Sequence, residues 1–162
     1  MPGLPQLIDE DVQSLDFAVD ELLRKTEATA ALIIDKGGPL ISQRGRVDQF
    51  DTTTMAALAA GSFCATQAIA ERMGETTFSN TYQQGEHHSL FVSNVDENVL
   101  LIVVFKASSS VGLVKYFSAG TIKEIASQLQ RASLRDPDEK VDLVSMNVLD
   151  ASDIFRKRSE AM

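Results

Sequence analysis

Apolar residues at Ile8, Val12, Leu15, Val19 and Leu22 recur at alternating steps of four and three, the spacing of one helix face. They predict an amphipathic helix over 9–27. Asp9, Glu10 and Asp11 stand where carboxylates favour the positive end of the helix dipole, and Arg24 and Lys25 stand near its negative end. In the next stretch, TAALIIDKGGPLISQR, two short apolar runs flank Lys36-Gly37-Gly38-Pro39. Two glycines that accept positive φ and a proline that stops pairing predict a β-hairpin with strands over 29–35 and 39–44. A polar linker leads to a second helix, with Asp51 or Thr52 as its N-cap and Gly74 as its stop.

Beyond Gly74 the period changes to two. TFSNTYQQ places Phe78 and Tyr82 on one parity, HHSLFVSNV follows a break at Gly85, and Asp96-Glu97-Asn98 form a turn into VLLIVVF. Residues 99–105 are seven consecutive apolar positions, a run that a strand accommodates only when both faces of its sheet are covered. A last helix is expected over 113–132, with Val114, Phe117, Ile122, Ile125 and Leu129 on its apolar side. The expected fold is α+β: a three-layer sandwich of order α-β-β-α-β-β-β-α. Its five-stranded antiparallel sheet carries the second helix on one face and the first and third on the other. The domain is expected to span 1–134. The tail, 135–162, breaks at Asp136-Pro137 and is read as mobile or as one short helix near Ile154, Phe155 and Arg156.

The second helix is unusual. Residues 52–70 contain no charge and are rich in alanine, so helix propensity is high while side-chain volume is low. Projection at 100° per residue groups Met55, Leu58, Ile69 and Met73 with Ser62 and Ala65, which are expected to form the core stripe. A second strip holds only small residues, Ala57, Gly61, Cys64 and Ala68, and the remaining arc holds Ala59, Phe63, Thr66 and Ala70. One sheet face covers one stripe, so the other two are expected to meet protein partners or the chain's own loops. Thr, Ser, Gln and so many alanines make the stretch a weak candidate for membrane insertion.

Composition narrows the function. At 162 residues the chain can bury a full core, and its formal charge of −8 argues against nucleic acid and anionic lipid as partners. The start, MPGLPQLIDEDV, lacks the basic and apolar regions of a secretory signal, and the single cysteine, Cys64, has no intrachain disulfide partner. Cytoplasmic placement follows as the expectation. His87 and His88 point to opposite faces of a strand, so they do not chelate one ion. Cys64 has no base at i±3 or i±4 and is expected to be buried as a small hydrophobe. DKGGPL lacks the phosphate-loop spacing. No enzyme chemistry, metal or cofactor is expected.

The order of elements resembles that of the Roadblock/dynein light chain family, and nearest to it is the bacterial branch of regulators of Ras-like GTPases. The residues that carry the likeness are DTTTMAALAAGSFCATQAIAERMGE, Phe78, QGE at 84–86, LLIVVF at 100–105 and GLVK at 112–115. The resemblance covers about residues 8–132. It implies a homodimer in which the second helices pair and edge strands join, with Ala59, Phe63, Thr66, Ala70, Phe78 and Tyr82 at the interface. It also implies that Ala57, Ala60, Gly61, Cys64, Ala65 and Ala68 face a Ras-like small GTPase in a nucleotide-dependent way. Members of the branch stimulate GTP hydrolysis without supplying an arginine finger, and others only localise a GTPase or motor. A small-ligand sensor is a third possibility for an antiparallel sheet covered by helices. The tail departs from a compact Roadblock domain, and Ile154, Phe155 and Arg156 are expected either to contact the partner or to solubilise passively.

Overall fold

A computed structural model describes residues 3–135. The elements run α1 (Asp9–Thr26), β1 (Ala30–Asp35), β2 (Leu40–Gly45), α2 (Thr52–Arg72), β3 (Asn80–Gln84), β4 (His88–Asn94), β5 (Val99–Lys106) and α3 (Val111–Ser133). The five strands form one antiparallel sheet in the order β2-β1-β5-β4-β3. This is the expected α+β order. One short 3-10 turn, Val47–Gln49, lies in the linker that the sequence pattern left without structure.

Local chemistry sets the ends of the helices. The Ile8 backbone N–H donates to Asp11 Oδ2 at 2.9 Å, and Gln128 Nε2 donates to Asp11 Oδ1 at 2.8 Å, so one buried carboxylate joins the start of α1 to α3. At the other end Glu27 takes a left-handed φ of 55° while its N–H reaches the Leu23 carbonyl at 2.8 Å. Gly45 ends β2 at φ +91°, where a Cβ would lie 2.6 Å from the Thr29 carbonyl oxygen. Only glycine fits there without a backbone shift.

Pairing of β1 with β5 places the apolar run in the middle of the sheet, with the N-terminal hairpin beside it and β2 at the edge. Val99 to Phe105 are all buried because alternate residues serve two cores. Leu101, Val103 and Phe105 pack with Ala31, Ile33 and Phe91 beneath α1 and α3, among Leu15, Leu22, Ile125 and Leu129. Leu100 and Ile102 pack with Leu32, Ile34 and Val92 beneath α2. Each fully buried large side chain contributes roughly 1.5–3 kcal/mol of transfer free energy. The register of β5 therefore fixes both layers together.

The β2 edge is fastened to α1 by charge. Arg44 Nε and Nη2 donate to Asp20 Oδ1 and Oδ2, each at 2.8 Å, and Ser42 Oγ donates to Asp16. Residues 136–162, including Ile154, Phe155 and Arg156, lie outside the described residues.

Candidate functional site

Helix α2 begins at Asp51, whose carboxylate accepts the Thr54 N–H at 3.1 Å and the Thr54 hydroxyl at 2.7 Å. These two bonds hold the Asp51 carboxyl below its ordinary value of 3.8. From there the helix lies over β1 and β2, at one side of the sheet face it covers.

The residues it presses on the sheet are Thr52, Ala56, Ala60, Phe63 and Ala70, with Ala59 at the margin. This overturns the expected core stripe. Leu58, Ile69 and Met73 are 69%, 55% and 66% exposed, Ser62 and Ala65 are also exposed, and Met55 is half-buried. The physical reason is distance: strands already filled by Leu32, Ile34, Leu100 and Ile102 leave room under the helix for methyl groups and a single ring. Met55 and Leu58 turn sideways, toward the half of the sheet formed by β4 and β3.

That half has no helix of its own on this face among the described residues. Between it and α2 runs an apolar groove of about 220 Å³, walled by Met55, Leu58 and Phe63 on the helix and by Thr81, Leu90 and Val92 on the strands. Thr81 and Leu90 were not singled out in the sequence, although the period-two pattern of β3 and β4 places them on one face. β3 is the outer strand on this side, with one edge unpaired among the described residues.

Lys36, in the turn after β1, stands over the Phe63 ring. Its Nζ stands 5.6 Å from the Phe63 ring centroid and donates to the Asp96 carbonyl at 2.7 Å. Burial pushes this ammonium below the usual lysine range, against the pull of Asp96 and Glu97.

The outer strip of α2 is formed as expected from small side chains. Ala57, Gly61, Cys64, Ala65 and Ala68 are exposed, and a Cβ built on Gly61 would meet nothing within 4 Å. Two corrections follow. Ala60 is buried against the sheet and offers no surface, and Cys64 is exposed rather than buried because it rides on the outer strip.

The residues expected at a dimer interface separate. Ala70 is fully buried within its own subunit and cannot reach a second chain, while Phe63, 4% exposed, shows only a margin of its ring in the groove wall. Ala59, Thr66 and Phe78 are half-buried, and the Thr66 hydroxyl is turned back onto the Ser62 carbonyl at 2.9 Å. Tyr82 sits opposite Phe91 in β4 and stacks on Phe105 at 6.1 Å, which places it on the α1/α3 face and away from the groove.

Both histidines are exposed, and His88 meets the Phe50 ring edge-on at 5.5 Å. Among the described residues no cluster of His, Cys, Asp or Glu is arranged to hold a metal ion, and no helix is long and apolar enough to cross a membrane.

Residues 15–105 match the family model described as the Roadblock/LC7 domain. The fold is similar to that of Myxococcus xanthus MglB, with a TM-score of 0.75 and 28% identity over 82% of this chain and 98% of that one. The gliding protein mglB of Thermus thermophilus is similar to the same degree, at TM-score 0.74 and 28% identity over 81% of this chain and 99% of that one. A Roadblock/LC7 domain from Streptomyces avermitilis shares the fold at TM-score 0.65 and 22% identity, over 71% of this chain and 97% of its own. Comparison with curated protein sequences gives no match.

Proposed function

Because the chain belongs to the Roadblock/LC7 domain family, we propose that it is a homodimeric regulator of a Ras-like small GTPase, with no catalytic centre of its own. One observation carries this reading. Helix α2 is uncharged on three faces and buries one of them; the other two, one with large apolar side chains and one with small, stand exposed.

A second copy suits the large-residue face. Leu58 lines the groove beside a half-covered sheet, and Ile69 and Met73 continue the exposed apolar face along the helix, which is the surface that another α2 would complete. Ala59, Thr66 and Phe78 remain available to this contact, with Phe63 in the groove wall and Tyr82 exposed on the edge strand β3; only Ala70, fully buried, is not. The small-residue strip then points outward from both copies. Ala57, Gly61, Cys64, Ala65 and Ala68 let a partner backbone approach α2 closely, and they are the proposed GTPase contact.

The effect on the GTPase is proposed to be stimulation of hydrolysis by reshaping the GTPase's own catalytic loops. Similarity to the MglB structures supports a GTPase-regulating role. Single-turnover GTP hydrolysis by a Ras-like GTPase, with and without the protein, tests it. Acceleration is expected, and tight nucleotide-dependent binding without acceleration would replace activation with localisation. Residues 135–162 are proposed as a separate tail that adds contact through Ile154, Phe155 and Arg156. Its deletion is expected to weaken GTPase binding, and unchanged affinity would leave the tail outside the complex.

A further inference from the structure

The turn that joins β1 to β2 carries one cation, Lys36, and that residue is fastened at both ends to the turn between β4 and β5. Its backbone N–H donates to the Asn98 carbonyl at 2.8 Å and its Nζ donates to the Asp96 carbonyl at 2.7 Å. Each turn is itself held by a carboxylate. Asp35 Oδ1 accepts the Gly37 N–H at 2.6 Å, and Asp96 Oδ1 accepts the N–H groups of Asn98 and Val99 at 2.8 Å and 2.9 Å. The position of the ammonium is therefore set by two ordered turns rather than by its own stem.

From that position it covers Phe63. Nζ lies 5.6 Å from the ring centroid, within the range over which an ammonium is attracted to the face of an aromatic ring. Phe63 is the one ring among the residues that α2 presses on the sheet; the others are threonine and alanine. The same ring packs with Val92 and Ile102 and forms part of the groove wall, where Lys36 itself has no place. Any influence of Lys36 on the groove passes through Phe63. Gly38, two residues further on, takes a φ of +116°, and a Cβ there would stand 3.7 Å from Ala57 Cα, so the same turn also lies alongside α2.

Resting on the homodimer reading above, we infer that Lys36 is a positioning residue of the subunit contact: it holds the Phe63 ring in the free subunit, so that the groove wall met by a second copy is preformed. Beside it α2 offers mostly methyl groups, Ala56, Ala59 and Ala60, which leave the ring room to move once the ammonium is gone. Ordering the ring would then oppose association, because that freedom is lost only when the second copy arrives.

The test compares the full-length protein with three variants. Lys36→Met keeps the stem and removes charge and donor, Lys36→Gln keeps a donor without the charge, and Lys36→Arg keeps both. Sedimentation equilibrium is expected to show self-association weakened about tenfold in Lys36→Met and Lys36→Gln, and within about twofold of the wild type in Lys36→Arg. Each variant is also combined with Leu58→Asp, which sets a charge in the groove wall and isolates the subunit. In that background the aromatic NMR signals of Phe63 are expected to shift and broaden in Lys36→Met, while those of Phe91 and Phe105, on the other face of the sheet, stay in place.

Wild-type association in Lys36→Gln would overturn the inference, whether Lys36→Met folds or not, and would leave Lys36 with a role in the stability of its own subunit. Phe63 signals that ignore the substitution would overturn it as well, and so would a loss in Lys36→Arg as large as that in Lys36→Gln. The wild-type arm reports on the underlying reading by itself: a protein that stays monomeric at every concentration removes the homodimer, and this inference with it.

Discussion

Phe105 and Leu58 are both large and apolar, yet one is fully buried and the other is 69% exposed. The Phe105 ring is enclosed by two helices and by Tyr82, so truncation leaves a cavity that the close-packed neighbours cannot fill. Phe105→Ala is expected to cost about 3–5 kcal/mol of folding stability, measured by chemical denaturation. Asp51 illustrates how a cap depends on charge. Its hydrogen bonds from the Thr54 hydroxyl and N–H lower its folded pKa below 3.8, so the stability it adds is present above that value and lost as pH falls through the folded pKa. Asp51→Ala is therefore expected to lower the urea midpoint at neutral pH, and the gap to the wild type should close on acidification. A gap that stays constant down to acid pH would show that the carboxylate charge contributes nothing to the cap.

Helix α2 shows where an amino-acid pattern stops being legible. The strands are readable because β5 is apolar over seven positions, β1 is apolar over five and the pattern beyond Gly74 has a period of two, and α1 is readable because its apolar residues recur on one face. On α2 the large residues suggest the core stripe, yet the buried face is made by Phe63 and Ala70 of the remaining arc together with Ala56 and Ala60. Periodicity sorts residues by azimuth, and size then suggests that the largest belong inside; α2 lies so close to β1 and β2 that its inner face accepts mostly alanine. The parity of Tyr82 is legible, but the face to which that parity belongs depends on its pairing with Phe91. The placement of Leu58 outside makes a clear prediction for the element. Leu58→Asp should leave the circular dichroism of the subunit unchanged, because no core contact is lost, while abolishing association through the groove. Loss of folded structure in that variant would mean that Leu58 supports its own subunit.

At the scale of the whole molecule, charge and apolar surface act in opposite directions. Two copies at −8 each repel, and the repulsion is long-ranged compared with the contacts of an apolar groove. The Debye length falls from about 30 Å at 0.01 M salt to about 8 Å at 0.15 M, so added salt removes the repulsion and leaves the burial of Leu58, Ile69 and Met73 untouched. Association through the groove should therefore strengthen with ionic strength, the reverse of what an ion-paired interface shows. Folding should follow, because a dimer that covers half of a sheet face stabilises its subunits by mass action, and the thermal midpoint should rise with protein concentration. Sedimentation equilibrium and thermal melts across a concentration series at low and moderate salt measure both effects. A midpoint independent of concentration would mean that the exposed face of α2 has no second copy to meet. In Leu58→Asp the concentration dependence should vanish at every salt, which ties the behaviour of the whole molecule to one side chain on one helix.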